Sequence, residues 1–211
     1  MVIDLDAQGT ANIAVTNWLT GTAVGDFRKL YKEVLPEDRR RHYLEMVASV
    51  SQSAKATSDL YTDTVSYPGV MGFNVQASQY AIIDGKTLTL LVPGISGGLF
   101  GLRADTRENP LFFGGQKNSS SETIIILPRG YTHLPILPKS RNWELPCGLG
   151  TYQLSLTTST RPDGRIMVHI LETEKRKSGE VSAQLYPSLL EYNRLMSHPS
   201  ARTLVAEKES K

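Results

Sequence analysis

The one cysteine of the chain, Cys147, is the first residue to test for chemistry, because a thiolate is a strong nucleophile. A catalytic cysteine needs a nearby base, usually histidine, and a feature that lowers its pKa, such as a helix N-terminus. Cys147 lies in the stretch LPCG, which leads into a predicted strand at Thr151 and not into a helix. His133 and His169 are the candidate bases. A small apolar residue in a turn is the simpler interpretation, and a cysteine-dependent hydrolase or transferase is kept as an alternative.

Other metal-binding and acid–base side chains show no diagnostic spacing. None of the four histidines is spaced from another as in a zinc motif or on one helix face. They are His42, His133, His169 and His198. Asp4 and Asp6 form a D-x-D pair that would share one face of a strand, a pattern that polar strand faces produce by chance. We therefore predict no catalytic residue, no metal ligand and no cofactor-binding residue, and hence no cofactor.

Two further motifs have some features of anion-binding sites. The glycine-rich run GISGGLFG at 94–101 lacks the Gly-Lys-Ser/Thr ending of a phosphate-binding loop, so we interpret it as a flexible turn between strands. The basic clusters at 39–41 and 175–177 lie beside acidic residues, which favours solvated charge that is paired locally. The chain has 23 basic and 21 acidic residues and a net charge of +2, so we predict no nucleic-acid partner.

Aromatic side chains provide the remaining candidate site. Trp18, Trp143 and Tyr131 are candidate ligand-binding residues, because aromatic faces stack on sugar rings. A groove lined by them would make the chain a carbohydrate- or peptide-binding β module of the cell envelope. Packing in the core is the alternative use of such residues, and burial of both tryptophans would exclude this function.

The elements that must position these residues follow from the hydrophobic periodicity. Alternating apolar and polar residues predict strands. The clearest lie at 11–19, 73–77, 88–92, 152–156 and 166–170. Apolar stripes of helical period predict three helices. The first carries Val24, Phe27, Tyr31 and Val34, the second begins at Pro36, and the third lies near 187–196. Asp84-Gly85 predicts a two-residue hairpin turn between the strands at 73–77 and 88–92.

The order of these elements predicts an α+β, mainly antiparallel β fold. We expect sandwich-like sheets, two helices in the N-terminal half and one helix near the C-terminus. The 211 residues are expected to form a single structural unit with two lobes, 1–104 with strands, two helices and a hairpin, and a β-rich lobe 105–211 that carries the last helix. One cysteine excludes an intrachain disulfide, and neither a signal peptide nor a transmembrane helix is predicted.

A series of short segments in a fixed order covers most of the chain. The segments are 9–20, GTAVGDFR at 21–28, the charged second helix, 73–83, 102–111, TIIILPRG at 123–130, GLGTY at 148–152 and Tyr186-Pro187. Their order resembles the C-terminal, β-rich domain of bacterial transglutaminase-like envelope proteins. In that family an N-terminal β domain precedes a papain-like transglutaminase core, and a further β-rich domain follows the core.

The resemblance implies an exported bacterial protein of the periplasm or cell envelope, whose catalytic Cys, His and Asp lie in another domain. No residue of this chain matches that triad, so no site is carried over, and Cys147 is not its nucleophile. The sequence enters a predicted strand almost directly after Met1, as expected of a domain that starts at a boundary. We predict a non-catalytic accessory or interaction domain. Its expected partner is a neighbouring catalytic domain, another envelope protein or a second copy of the chain.

Overall fold

The computed structural model describes residues 1–33 and 35–209, and it has the predicted α+β, mainly antiparallel β fold. The chain divides into two compact units, which we call unit 1 and unit 2. Unit 1 comprises Met1–Ile83 and Ile125–Pro128, and unit 2 comprises Asp84–Ile124 and the described residues from Arg129 onward. The division falls after residue 83, and not after residue 104 as predicted. No described helix has both the length and the apolar character needed to cross a bilayer.

Unit 1 is an antiparallel sheet with two helices. The elements up to its end are β1 (Val2–Leu5), β2 (Ala11–Leu19), α1 (Thr22–Glu33), α2 (Pro36–Val50), β3 (Ala54–Ala56), β4 (Tyr61–Asp63), β5 (Gly69–Ala77) and β6 (Ile82–Asp84). The central strand β2 pairs with β1 on one side and with β5 on the other. Both β3 and β4 pair with the far edge of β5, one after the other along its length.

The core of unit 1 forms on one face of this sheet, because apolar residues occupy alternate positions on β1, β2 and β5. Ile3, Ile13 and Val75 are each at most 1% exposed. Helix α1 buries Val24 and Phe27, as its predicted stripe requires, and α2 begins at Pro36 as predicted. Val34, which was assigned to the same stripe, lies outside the described residues.

Two turns depend on glycine, one in unit 1 and one at the start of unit 2. Gly9 joins β1 to β2 with φ at +82°, and a Cβ at this position would lie 2.2 Å from the carbonyl oxygen of Ala81. Gly85 has φ at +58° and joins β6 to the next strand, so the predicted Asp84-Gly85 turn is present. The first strand of this hairpin is the short strand β6 and not the strand at 73–77, which is part of β5 and pairs with β2.

Unit 2 contains the remaining elements. They are β7 (Thr87–Leu91), β8 (Leu111–Phe113), β9 (Lys117–Ile126, whose last two residues belong to unit 1), β10 (Tyr131–Ile136), β11 (Arg141–Leu145), β12 (Gly150–Thr160), β13 (Ile166–Arg176), β14 (Gly179–Val181), α3 (Tyr186–Ser197) and β15 (Thr203–Lys208). One sheet has the order β11-β12-β13-β9, a second contains β10-β15-β7, and β8 pairs with β14.

The long hairpin β12–β13 and the strand β15 organise unit 2. All eleven residues of β12 pair with β13, and the predicted turn at 161–164 joins them. Strand β15 lies between β7 and β10, and this pairing explains the domain boundary, because it draws the return strand of the Asp84-Gly85 turn into unit 2. The predicted third helix is present as α3, which buries Leu189 and Met196.

Candidate binding surface

The face of the unit 1 sheet opposite the helices is exposed to solvent, as is common for antiparallel sheets. We call it the open face. The strand register places its side chains in four rows. The rows are Trp18–Val70–Asp63, Thr16–Gly72–Tyr61, Val2–Ala14–Asn74 and Asp4–Asn12–Gln76–Lys55. One end of the open face is therefore aromatic and the other is rich in amides.

The aromatic end is formed by Trp18 and Tyr61, which are 63% and 61% exposed. They stand on the two strands that flank β5, in neighbouring rows. Adjacent strands are about 4.8 Å apart, so the two side chains start roughly 10 Å apart across the sheet. Gly72 lies between them in the row of Tyr61 and has no side chain to fill the space. The result is a shallow floor with an aromatic ring on each side.

The amide end offers hydrogen-bonding groups and little charge. Asn12, Asn74 and Gln76 are exposed, and the Gln76 Nε2 donates to the Asn12 Oδ1 at 3.3 Å. Within β1 to β5, all of which the structure describes, the charged residues are two aspartates and Lys55, and none is arginine. A ligand of this surface therefore meets mainly amide, hydroxyl and aromatic groups.

The loop 64–68 extends the aromatic end with Val65 and Tyr67, which are 86% and 68% exposed. The carboxylate of Asp63 accepts hydrogen bonds from the backbone N–H groups of Val65 at 2.9 Å and Ser66 at 3.0 Å. These bonds, with the larger effect from Ser66, hold the pKa of Asp63 below its usual value. Arg28 on α1 donates to the carbonyl oxygens of Val65 and Ser66, so the loop is anchored on both sides.

Of the three predicted aromatic residues, Trp18 is the one that presents an exposed ring. Trp143 is half-buried, with its ring 5.6 Å from that of Tyr152 and 5.1 Å from that of Tyr192. Tyr131 is 0% exposed, so its ring cannot stack on a ligand at the surface, and the prediction for this residue is wrong. Trp143 and Tyr131 belong to unit 2 and Trp18 to unit 1. The sequence did not point to Tyr61, because β4 has three residues and shows no readable alternation.

Cys147 is exposed and lies in a short 3₁₀ turn with φ at +54°. The two candidate bases make their contacts elsewhere. His133 Nδ1 lies 3.1 Å from Glu207 Oε2, and His169 Nε2 lies 2.7 Å from Glu122 Oε1. The structure thus does not join either histidine to the cysteine by a hydrogen bond.

The D-x-D pair is divided between a strand and a turn. Asp4 lies on β1, whereas Asp6 follows the strand and its Oδ1 accepts from the backbone N–H groups of Gln8 at 2.8 Å and Thr10 at 2.9 Å. These bonds fix the turn between β1 and β2. Over residues 1–33 and 35–209, no group of three or more His, Cys, Asp or Glu side chains is placed to hold a metal ion.

The glycine-rich loop at 94–101 connects two strands, as predicted, and several hydrogen bonds from polar side chains hold it. Glu172, which is 8% exposed, accepts from the Ser96 N–H at 2.9 Å, from the Ser96 hydroxyl at 3.2 Å and from the Tyr152 hydroxyl at 2.8 Å. Burial, and then the hydrogen bond to Glu172, raise the pKa of Tyr152. The Glu172 carboxylate therefore stabilises the loop, and its hydrogen bonds are made within the protein.

Asn193 of α3 holds the second half of the same loop. Its Oδ1 accepts from the backbone N–H groups of Leu99 at 2.8 Å and Phe100 at 3.0 Å, and its Nδ2 donates to the Phe100 carbonyl at 2.7 Å. Arg176 of the second basic cluster donates to the Leu99 carbonyl at 2.7 Å. Leu99 and Phe100 are both buried. The loop is thus a structural part of unit 2.

No protein-family model, curated protein or solved structure matches the chain. The resemblance to transglutaminase-like envelope proteins stays a prediction from the sequence. The open face is the surface whose geometry bears most directly on function.

Proposed function

We propose that the chain is a non-catalytic binding module, and that the open face of unit 1 binds a glycan of low charge. The observation that carries this proposal is the pair of rings, Trp18 and Tyr61, which stand exposed on either side of Gly72. Exposed aromatic rings that lie close together on one surface mark an interaction site more often than single exposed apolar residues do.

The chemistry of the surface favours a sugar. A pyranose ring carries C–H bonds on its faces, and these are attracted to the negative face of an aromatic ring. Its hydroxyl groups point outward and need donors and acceptors, which Thr16, Asn74 and Gln76 provide along the same face. A flat floor at Gly72 and Ala14 leaves room for sugar units to lie across β5 and β2.

The charge of the surface disfavours a nucleic acid. Binding to a phosphate backbone relies on several lysine or arginine side chains near the strand. The open face carries Asp4 and Asp63 against a single lysine, Lys55. A phosphate backbone would therefore meet weak repulsion, whereas a neutral sugar chain would not.

The non-catalytic part of the proposal rests on how candidate reactive groups are used. The Glu172 carboxylate accepts three hydrogen bonds from the glycine-rich loop and Tyr152. His133 and His169 are each in contact with a glutamate. These contacts give each of the three side chains a structural role, so no catalytic role is needed to explain them.

Titration with cello- and chito-oligosaccharides, followed by NMR, tests the glycan proposal. Each tryptophan contributes one indole N–H signal, and we expect the Trp18 signal to shift saturably while that of Trp143 does not. Trp18→Ala and Tyr61→Ala should each weaken binding by about tenfold, since one stacked ring contributes roughly 1 kcal/mol or more. Gly72→Ser should also weaken it by placing a side chain between the rings.

Phe112→Ala is the matched control, because Phe112 is 67% exposed but lies on β8 in unit 2. This change should leave the affinity as it is. The proposal is abandoned if no oligosaccharide shifts the Trp18 signal, or if Phe112→Ala weakens binding as much as Trp18→Ala.

A second candidate is the accessory role in an exported transglutaminase-like envelope protein. Its support is the sequence resemblance together with the exposed apolar loop 64–68, where Val65 and Tyr67 extend the aromatic end as a docking surface would. In this case the open face contacts a neighbouring protein domain, and the location is the periplasm or cell envelope.

The genomic reading frame around the codons for this chain provides the test of that role. An in-frame transglutaminase-like core supports it, and hydrogen exchange at the amides of 64–67 should then slow when the core is joined to the chain. A reading frame without such a core, or unchanged exchange in the joined protein, counts against the accessory role and leaves the glycan proposal intact.

A further inference from the structure

The strand register fixes the spacing of the two exposed rings on the open face. Trp18 on β2 lies opposite Val70 of β5, and Tyr61 on β4 lies opposite Gly72 of the same strand. The two positions are therefore separated by two strand spacings across the sheet and by two residues along it. With about 4.8 Å between strands and about 3.4 Å per residue, their Cα atoms are roughly 12 Å apart.

The floor between the rings is low and has a hydroxyl group beside it. The midpoint between the rings lies next to Gly72 and Val70, and Val70 is only partly exposed. A Cβ at Gly72 would lie 3.3 Å from the Val15 carbonyl oxygen and 3.7 Å from the Thr16 Oγ1. The absence of a side chain at Gly72 thus leaves space directly beside the Thr16 hydroxyl.

A ligand that uses both rings must cross the strands. Trp18 is the one aromatic residue of β2, and Tyr61 is the one aromatic residue of β4. Phe73 of β5 is 6% exposed and belongs to the opposite face. A chain that followed a single strand would therefore meet one ring at most. A single pyranose ring is also too small to span a separation of roughly 12 Å, which corresponds to the step from the first to the third unit of an extended chain.

We propose that the open face selects an extended β-1,4-linked glycan, which crosses the strands diagonally and stacks its first and third sugars on Tyr61 and Trp18. This substrate class rests on the glycan binding proposed above and adds the linkage and direction of the chain. Equatorial β-1,4 links between glucose-type sugars produce a flat ribbon with C–H bonds on both faces, which suits stacking on two rings of one sheet. An α-1,4-linked chain curls away from a flat surface.

The edges of such a ribbon carry its hydroxyl groups and need polar partners. The middle sugar lies beside the Thr16 hydroxyl, which can donate and accept. The next row toward the amide end carries Asn74, which is exposed and offers both a carbonyl oxygen and an amide N–H group. One edge of the ribbon can thus form hydrogen bonds while its face stays on the rings.

Calorimetric titration of the full chain with oligosaccharides of two, three and four units tests the proposal. We expect the affinity for cello- or chito-oligosaccharides to rise about tenfold between two and three units, because the third sugar reaches the second ring. The fourth unit should add less than about threefold, since it passes beyond the rings. Maltotriose should bind about tenfold more weakly than cellotriose. The cello and chito series together show whether the N-acetyl group contributes.

Three variants separate the two-ring path from other modes of binding. Tyr61→Ala should remove the rise between two and three units and change the affinity for the disaccharide little. Thr16→Val keeps the shape of the side chain without its hydroxyl, and it should weaken cellotriose binding about fivefold. Phe112→Ala is the control, because this exposed ring lies on β8 in unit 2, and it should leave the rise unchanged.

The outcomes distinguish this substrate class from glycan binding in general. If no oligosaccharide binds, both proposals are overturned. If sugars bind without a rise between two and three units, if maltotriose binds as well as cellotriose, or if the rise persists in Tyr61→Ala, the two-ring path is wrong and glycan binding stands. Tyr61 and Trp18 are exposed, so their variants should fold, and the NMR spectrum of each variant verifies this.

Discussion

Replacing Glu172 by methionine tests whether one buried carboxylate orders the glycine-rich loop at 94–101. Methionine has a similar length, but its thioether is only a weak acceptor. The change removes the acceptor of the Ser96 N–H, the Ser96 hydroxyl and the Tyr152 hydroxyl at once. Glu172→Gln is the conservative partner variant, because its amide oxygen can still accept two of these bonds.

The expected magnitude follows from counting donors that lose their acceptor. A buried donor without a partner costs about 1–3 kcal/mol, and the Ser96 N–H and the Tyr152 hydroxyl are the two most affected. Glu172→Met should therefore lower the free energy of unfolding by about 2–6 kcal/mol, a large part of a typical domain's stability. Glu172→Gln should cost about 1 kcal/mol, because it loses only the contribution of the charge.

A double variant sharpens this prediction. Adding Tyr152→Phe to Glu172→Met removes one of the two unsatisfied donors, so the double variant should be about 1–3 kcal/mol more stable than Glu172→Met alone. Urea unfolding followed by circular dichroism measures the four proteins, and hydrogen exchange at Ser96 reports on the loop. Equal losses for the Met and Gln variants, or unchanged protection at Ser96 in Glu172→Met, would refute the reasoning.

Two further predictions concern other carboxylates. Lys117→Met removes the ammonium group 2.6 Å from Glu174, which is 3% exposed, and should cost about 1–3 kcal/mol. This is less than for a fully buried pair because Lys117 is 46% exposed, and adding Glu174→Gln should restore most of the loss in urea unfolding. Asp63→Ala removes the acceptor of two loop N–H groups whose bonds lower the pKa of Asp63. That stabilisation is present above about pH 3.9 and is lost as the pH falls through the lower folded-state pKa. The free energies of unfolding of the variant and the wild type should therefore differ at neutral pH and converge in acid. A difference that is constant with pH contradicts this prediction.

The local elements were predictable because their signals lie within a few neighbouring residues. The period of two over Ala11, Ile13 and Val15 places Trp18 on the opposite, polar face of the same strand, and the structure shows that face exposed. The helices α1 and α2 likewise follow from their apolar stripes and from Pro36. The part of the proposed binding surface that carries Trp18 could therefore be predicted from the sequence.

The rest depended on contacts between distant residues. Tyr61 joins Trp18 only because β4 and β2 flank the same strand, which no local pattern in a three-residue strand reports. The predicted boundary at residue 104 differs from the observed division after residue 83, because β7 pairs with β15, more than 100 residues later in the chain.

The central position of β15 has a consequence for how the protein is made. Strands β7 and β10 have their partner in residues 203–208, so the sheet cannot close until the ribosome has released that segment. Residues 89 and 205 pair although most of the chain separates them, and closing so long a loop is slow. During synthesis the edges of β7 and β10 that later pair with β15 remain unpaired. Unpaired strand edges favour aggregation and the binding of chaperones.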